Sequence, residues 1–177
     1  MKMKRTFFKL ITILIMTTQN SKAQEISEKY PLKKDVSTID GIIKAFYEVV
    51  SGEAGEKRQW ERDLSIHNPN AIYSYLDTIN GNLQQVTMSL KDFHKETDAM
   101  VMKTAFYESE INREVRIFGN IAQVWSTYET RLIKNGSVAR RGINSIQLFF
   151  DKEKWSIVSL LFERERAEKI PKTFEPN

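Results

Sequence analysis

Between Phe106 and Glu163 the chain runs through four successive segments, FYESEINREVRIFG, NIAQVWSTYETRLI, ARRGINSIQLFFD and KWSIVSLLFE, in which apolar and polar residues largely alternate. A period of two marks strands, and the Gly119-Asn120 and Asn135-Gly136 dipeptides between the runs are turn formers. Read in order, the segments form four consecutive antiparallel strands. Two or three amphipathic helices precede them, so the chain is of the α+β class.

Upstream, Ser37 with Asp40 three residues on starts a helix, and Ile39, Ile42, Ile43, Phe46, Tyr47 and Val50 follow at helical spacing until Gly52 and Gly55. A shorter helix from Glu56 presents Trp60 and Leu64 before Pro69 stops it. Ala71 to Asp77 and Leu83 to Met88 flank Asn80-Gly81, the signature of a type I′ hairpin. Ser89 and Asp92 then cap a third helix with an apolar stripe of Leu90, Phe93, Met100 and Val101.

Residues 1–23 have the form of a secretory signal: a basic start, a short apolar core from Leu10 to Met16, and Ser21-Lys22-Ala23 for cleavage. The apolar core is too short for a stable membrane anchor. The segment carries five basic residues and no acidic ones, so 27 Lys and Arg fall to 22 against 23 Asp and Glu once it is removed. The basic excess thus belongs to targeting, and nucleic-acid binding is set aside. With no Cys, the remaining 177 − 23 = 154 residues must fold on one hydrophobic core. The expected organisation is a signal peptide at 1–23, a solvated leader at 24–36, one domain at 37–171 and a tail at 172–177, with the product periplasmic or secreted.

Counting from a two-residue turn at Gly119-Asn120 sets Ile111 opposite Tyr128, Arg113 opposite Ser126 and Val115 opposite Val124 on one strand face. The same count from Asn135-Gly136 sets Ile143, Ser145 and Gln147 opposite Tyr128, Ser126 and Val124, and the last strand adds Val158, Leu160 and Phe162. That face is apolar with an embedded polar row of Arg113, Ser126, Ser145 and Tyr128. An unpaired guanidinium is costly in a core, which points to a pocket. The opposite face receives Glu108, Glu110 and Glu129 as solvated carboxylates, and an apolar patch of Trp125, Ile146, Leu148, Trp155 and Ile157 suited to pairing two copies. One β-bulge would exchange the faces beyond it.

Phe118-Gly119-Asn120-Ile121-Ala122, Ser126-Thr127-Tyr128-Glu129, the stretch from Arg141 to Leu148 and Trp155-Ser156-Ile157-Val158-Ser159 resemble the nuclear transport factor 2-like superfamily, and more closely its SnoaL-like branch. The likeness runs from about Ser37 to Pro171. It implies a cone in which a curved antiparallel sheet, with three helices packed on its concave face, encloses an apolar cavity. It also implies dimerisation through the outer sheet. Ketosteroid isomerases of that superfamily need two acidic residues where this chain has Tyr75 and Ile143, which disfavours that chemistry. Tyr47 stands near the helical position where those enzymes carry a tyrosine donor. Epoxide hydrolases of the same fold pair an arginine with two carboxylates; Arg113 fits the arginine, but the inward face offers it no carboxylate pair.

The expected ligand site is Arg113, Tyr128, Ser126, Ser145, Tyr75, Tyr47 and Phe162, taking a small, partly apolar molecule with a carboxylate or carbonyl. A cofactor-independent lyase, isomerase or hydrolase and a protein-interaction module are the competing readings. His94, one turn from Asp98, reads as half of a surface pair. Two isolated His and no Cys offer no usual ligand set, so neither metal nor cofactor is expected.

Overall fold

The structure is a computed structural model that describes residues 29–175; the signal segment 1–23, the first part of the leader, Pro176 and Asn177 lie outside it. Four helices, α1 (Lys33–Val36), α2 (Ile39–Val50), α3 (Trp60–Ile66) and α4 (Leu90–Val101), accompany six strands, β1 (His67–Ile79), β2 (Asn82–Ser89), β3 (Tyr107–Phe118), β4 (Ile121–Arg131), β5 (Arg140–Phe150) and β6 (Trp155–Arg164). The strands form one sheet in the order β2-β1-β6-β5-β4-β3. All neighbours are antiparallel except β1 and β6, which run parallel, so the sheet is mixed where a purely antiparallel one was expected.

The α2 helix starts one residue later than the sequence suggested: Thr38, not Ser37, is the cap, its hydroxyl accepting from the Gly41 N–H at 2.9 Å. Its Ile42, Ile43, Ala45, Phe46, Tyr47 and Val49 are buried, and they meet Val124, Ile146, Leu148, Ile157 and Leu160 of the sheet in the main core. Residues 33–36, read as part of a solvated leader, instead form α1. Val36 enters the core, and buried Asp35 pairs with the Arg62 guanidinium of α3 through two contacts of 2.7 and 2.8 Å.

The β1–β2 and β3–β4 turns fall where the dipeptides put them, with Asn80 (φ 52), Gly81 (φ 80) and Gly119 (φ 54) in the left-handed region. The β4–β5 connection does not. The Gly136 N–H donates to the Ile133 carbonyl at 2.9 Å, closing the turn on Lys134 and Asn135, and the longer loop over 132–139 moves the pairing by one residue. Tyr128 therefore opposes Gly142, Ser126 opposes Asn144 and Val124 opposes Ile146. The expected register would have turned Ile146 and Leu148 to solvent. Burying each stabilises by about 1.5–3 kcal/mol, enough to outweigh a turn preference.

Two bulges complete the difference. On β3, Glu110 opposes Tyr128 and Asn112 opposes Thr127, leaving Ile111 as the extra residue and bringing Glu108 and Glu110 to the concave face. Along β6, Gln147 opposes Ser159 but Leu148 opposes Ile157, so Val158 turns outward and Ile157 inward. Ile146, Leu148 and Ile157, expected on the outer patch, are core residues, and Trp155 packs against that core. Trp125 alone of that patch stays outside, with the Phe174 ring 6.2 Å away across it.

Candidate functional site

Between the concave face and the helices lies a cavity of about 160 Å³. Most of its wall is apolar or aromatic: Phe46 and Val50 of α2, Trp60 of α3, Tyr73 of β1, Phe93, Met100 and Val101 of α4, then Phe106, Leu160 and Phe162. Four polar residues share one part of the wall, Glu108 of β3, Tyr128 of β4, and Arg140 and Asn144 of β5. Glu108 reaches it because of the β3 bulge, Arg140 and Asn144 because of the shifted β4–β5 pairing, and Tyr128 through the plain alternation of β4.

Glu108 is the one of them brought to titrate near neutral pH. Burial pushes its carboxyl pKa up to about 7, opposed in turn by the Thr130 hydroxyl, the Arg140 charge and the Asn144 amide. The Thr130 Oγ1 donates to Glu108 Oε2 at 3.1 Å. Part of the Glu108 surface remains accessible, as befits a group that lines a cavity. Arg140 lies with its guanidinium carbon 5.5 Å from the centre of the Phe106 ring, a cation–π contact at the cavity wall. The Tyr128 hydroxyl makes no hydrogen bond among the described residues, and burial beside Glu108 holds it protonated far above neutral pH. Gly142 leaves room for it, since a Cβ there would lie 2.4 Å from Tyr128 Oη.

Several expected site residues are engaged elsewhere. Arg113 sits opposite Ser126, as the sequence indicated, but at the sheet edge outside the cavity, donating to Glu110 at 2.6 Å and to Asp40 of α2 at 2.7 Å. Ser126 donates to Glu110 Oε1 at 2.5 Å. Having one hydrogen, it must then accept from Tyr47, whose hydroxyl lies 2.6 Å away, while Asn144 Nδ2 donates to Tyr47 at 3.0 Å. Tyr47 and Ser126 are therefore saturated within the fold and lie outside the cavity wall. Ser145 turns to the outer face. Tyr75 stacks on Phe162 with centroids 5.4 Å apart, its hydroxyl 3.4 Å from Glu96. Of the expected set, Tyr128 and Phe162 line the cavity.

His94 does not pair with Asp98. Its Nε2 donates to buried Asp63 at 2.7 Å, and Trp60 Nε1 donates to Asp98 instead. Glu110 does not face Glu129, which pairs with Arg131. Among the described residues, no group of three or more His, Asp and Glu is arranged to hold a metal ion.

No protein-family description matches the sequence. No curated protein is similar to it. Solved structures are. The crystal structure of LinA is 12% identical over 80% of this chain and 88% of its own, with a TM-score of 0.51. A putative ketosteroid isomerase from Parabacteroides distasonis ATCC 8503 is 13% identical over 81% and 93%, with a TM-score of 0.49. An NTF-2 like protein of unknown function from Silicibacter pomeroyi DSS-3 is 13% identical over 73% and 94%, with a TM-score of 0.46. At such identities the likeness is one of fold, and that fold is the nuclear transport factor 2-like cone, six curved strands with helices across the concave side.

Proposed function

We propose that this chain binds a compact, mostly apolar small molecule carrying a carbonyl or carboxylate, held in the cone cavity. The observation that supports the reading is the meeting of Glu108, Tyr128, Arg140 and Asn144 in one part of a mostly apolar cavity of about 160 Å³. A dry cavity of about 150 Å³ accepts benzene, which sets the ligand at one ring or its equivalent. Arg140 takes the anchoring role expected of Arg113, because a charge-assisted hydrogen bond is about twice as strong as a neutral one where water is scarce. Tyr128 donates to the same oxygen, and Glu108 does so when protonated.

Trp60 in the wall supplies the readout. Titrating with benzoate and with cyclohexanone should change its fluorescence, a Trp60→Phe control removing the signal. Arg140→Met should weaken benzoate at least tenfold more than it weakens cyclohexanone. Absence of binding by either compound at millimolar concentration would overturn the reading.

A second reading, turnover by proton transfer, is favoured by the pKa of about 7 at Glu108, which poises it as acid or base at neutral pH. Exchange of the α-hydrogens of cyclohexanone in deuterated buffer, faster with wild type than with Glu108→Gln, tests it. Export after removal of residues 1–23 remains part of the proposal. So does a homodimer through the outer sheet, now resting on exposed Phe118, Ile121 and Phe149. Light scattering of wild type and of Phe118→Lys tests the pairing, and a monomeric wild type ends it.

A further inference from the structure

Behind the cavity wall lies a buried run of polar side chains that the proposed anchoring group leaves unused: His94 of α4, Asp63 of α3, and His67 and Tyr73 of β1. Asp63 is 1% exposed and accepts from His94 Nε2 through Oδ2 at 2.7 Å. His67 Nδ1 lies 2.6 Å from the backbone carbonyl oxygen of Asp63 and 3.3 Å from its Oδ1. On the other side of the ring, His67 Nε2 lies 2.8 Å from Tyr73 Oη. Tyr73 belongs to the cavity wall, its ring 5.0 Å from that of Phe93.

The direction of each hydrogen bond follows from one group that has no choice. A carbonyl oxygen can only accept, so the hydrogen of the His67–Asp63 contact sits on Nδ1. Burial disfavours the charged ring more than the Asp63 charge favours it, so His67 is neutral and Nε2 carries a lone pair. Tyr73 must then donate its single hydroxyl hydrogen to Nε2. What the Tyr73 oxygen has left is lone-pair density.

We propose that Tyr73 is a specificity-determining residue of the cavity: with its hydrogen committed to His67, it meets a ligand as an acceptor alone and selects a ring that carries a hydroxyl there over one that carries a second carbonyl. This rests on the reading that the cavity binds a carbonyl compound, and it narrows that class to hydroxy-ketones and hydroxy-acids of about one ring. Tyr128 is the opposite kind of group, a phenol whose hydrogen has no partner among the described residues. The two phenols, alike in sequence, thus divide the ligand into an end that accepts and an end that donates.

Two probes of nearly one size separate the possibilities: 4-hydroxycyclohexanone and 1,4-cyclohexanedione share one ketone and differ in carrying a hydroxyl or a carbonyl opposite it. Calorimetry at pH 7.5 on the full folded protein should give wild type a preference of about tenfold for the hydroxy-ketone, the order expected of one hydrogen bond gained on one probe and lone-pair repulsion on the other. Tyr73→Phe should bring the ratio to within about twofold of unity while keeping the affinity for cyclohexanone. A wild-type ratio near unity, or one favouring the dione, overturns the inference without recourse to any variant. So does an unchanged ratio in Tyr73→Phe. If cyclohexanone and both probes fail to bind wild type, the cavity-binding reading falls, and the inference falls with it.

Discussion

Glu108→Gln isolates the effect of keeping a carboxyl in the cavity wall. In the folded chain its pKa is raised from an ordinary 4.5 to about 7, chiefly because burial disfavours the charge. Below pH 4.5 folded and unfolded chains both hold the proton, and the group is neutral in its effect. Between 4.5 and 7 the unfolded chain releases the proton while the folded chain keeps it, so stability falls as pH rises, by about 1.4 kcal/mol per pH unit. Above 7 the loss is complete. The span of 2.5 units between those values corresponds to a loss on the order of 3 kcal/mol. Glutamine keeps the volume and cannot ionise. Urea unfolding of both proteins from pH 4.5 to 8.5 should therefore find the variant gaining on wild type by about 3 kcal/mol across that range. Every other titrating group is common to the two, and any fixed cost of replacing the Thr130 contact cancels in the difference. A gap that stays constant within about 0.5 kcal/mol would refute the claim that this carboxyl is held neutral at the cavity wall.

Arg62→Met should cost about 3–5 kcal/mol in denaturant unfolding, because it strands buried Asp35 without a counter-charge. Arg113→Met should leave benzoate affinity within twofold, measured by the Trp60 titration, since its partners Glu110 and Asp40 lie outside the cavity. Gly142→Ala should destabilise by about 1–3 kcal/mol, because its Cβ would approach both Glu163 O and Tyr128 Oη to 2.4 Å, and should weaken ligands that use the Tyr128 hydroxyl. Expression in a Gram-negative host should yield a periplasmic protein starting at Gln24 by mass spectrometry; a soluble product retaining Met1 would refute export.

The fold was legible because its signals are local and repeated: apolar spacing in α2, the Ser89 cap of α4, and two hairpin dipeptides whose left-handed residues fall where expected. The site was not, because strand faces depend on parity. One shift at 132–139 and one extra residue at Ile111 turned Ser145 outward and brought Asn144, Glu108 and Glu110 inward. A sign of the second was present in the sequence only after the fact. Glu110 and Arg113, three apart, cannot pair on one face of a regular strand, yet they do pair here. The Asp63–His94 contact spans 31 residues, and no local pattern foretells it. Arg113 stands out as a polar residue among apolar neighbours and Tyr47 by its place on the helix, and neither criterion separates groups serving a ligand from groups already satisfied by the protein.

The bulge at Ile111 also bears on how such a cone changes its chemistry over generations. A substitution that drew Ile111 into regular pairing opposite Tyr128 would move residues 107–110 along the strand by one, turning Glu108 and Glu110 outward and bringing Tyr107 and Ser109 to the interior, with the strand order left in place. An acidic interior would become a neutral, hydroxylated one in a single step. The position that makes the interior of this protein hardest to foresee is thus the one through which a lineage could most abruptly exchange one class of guest for another.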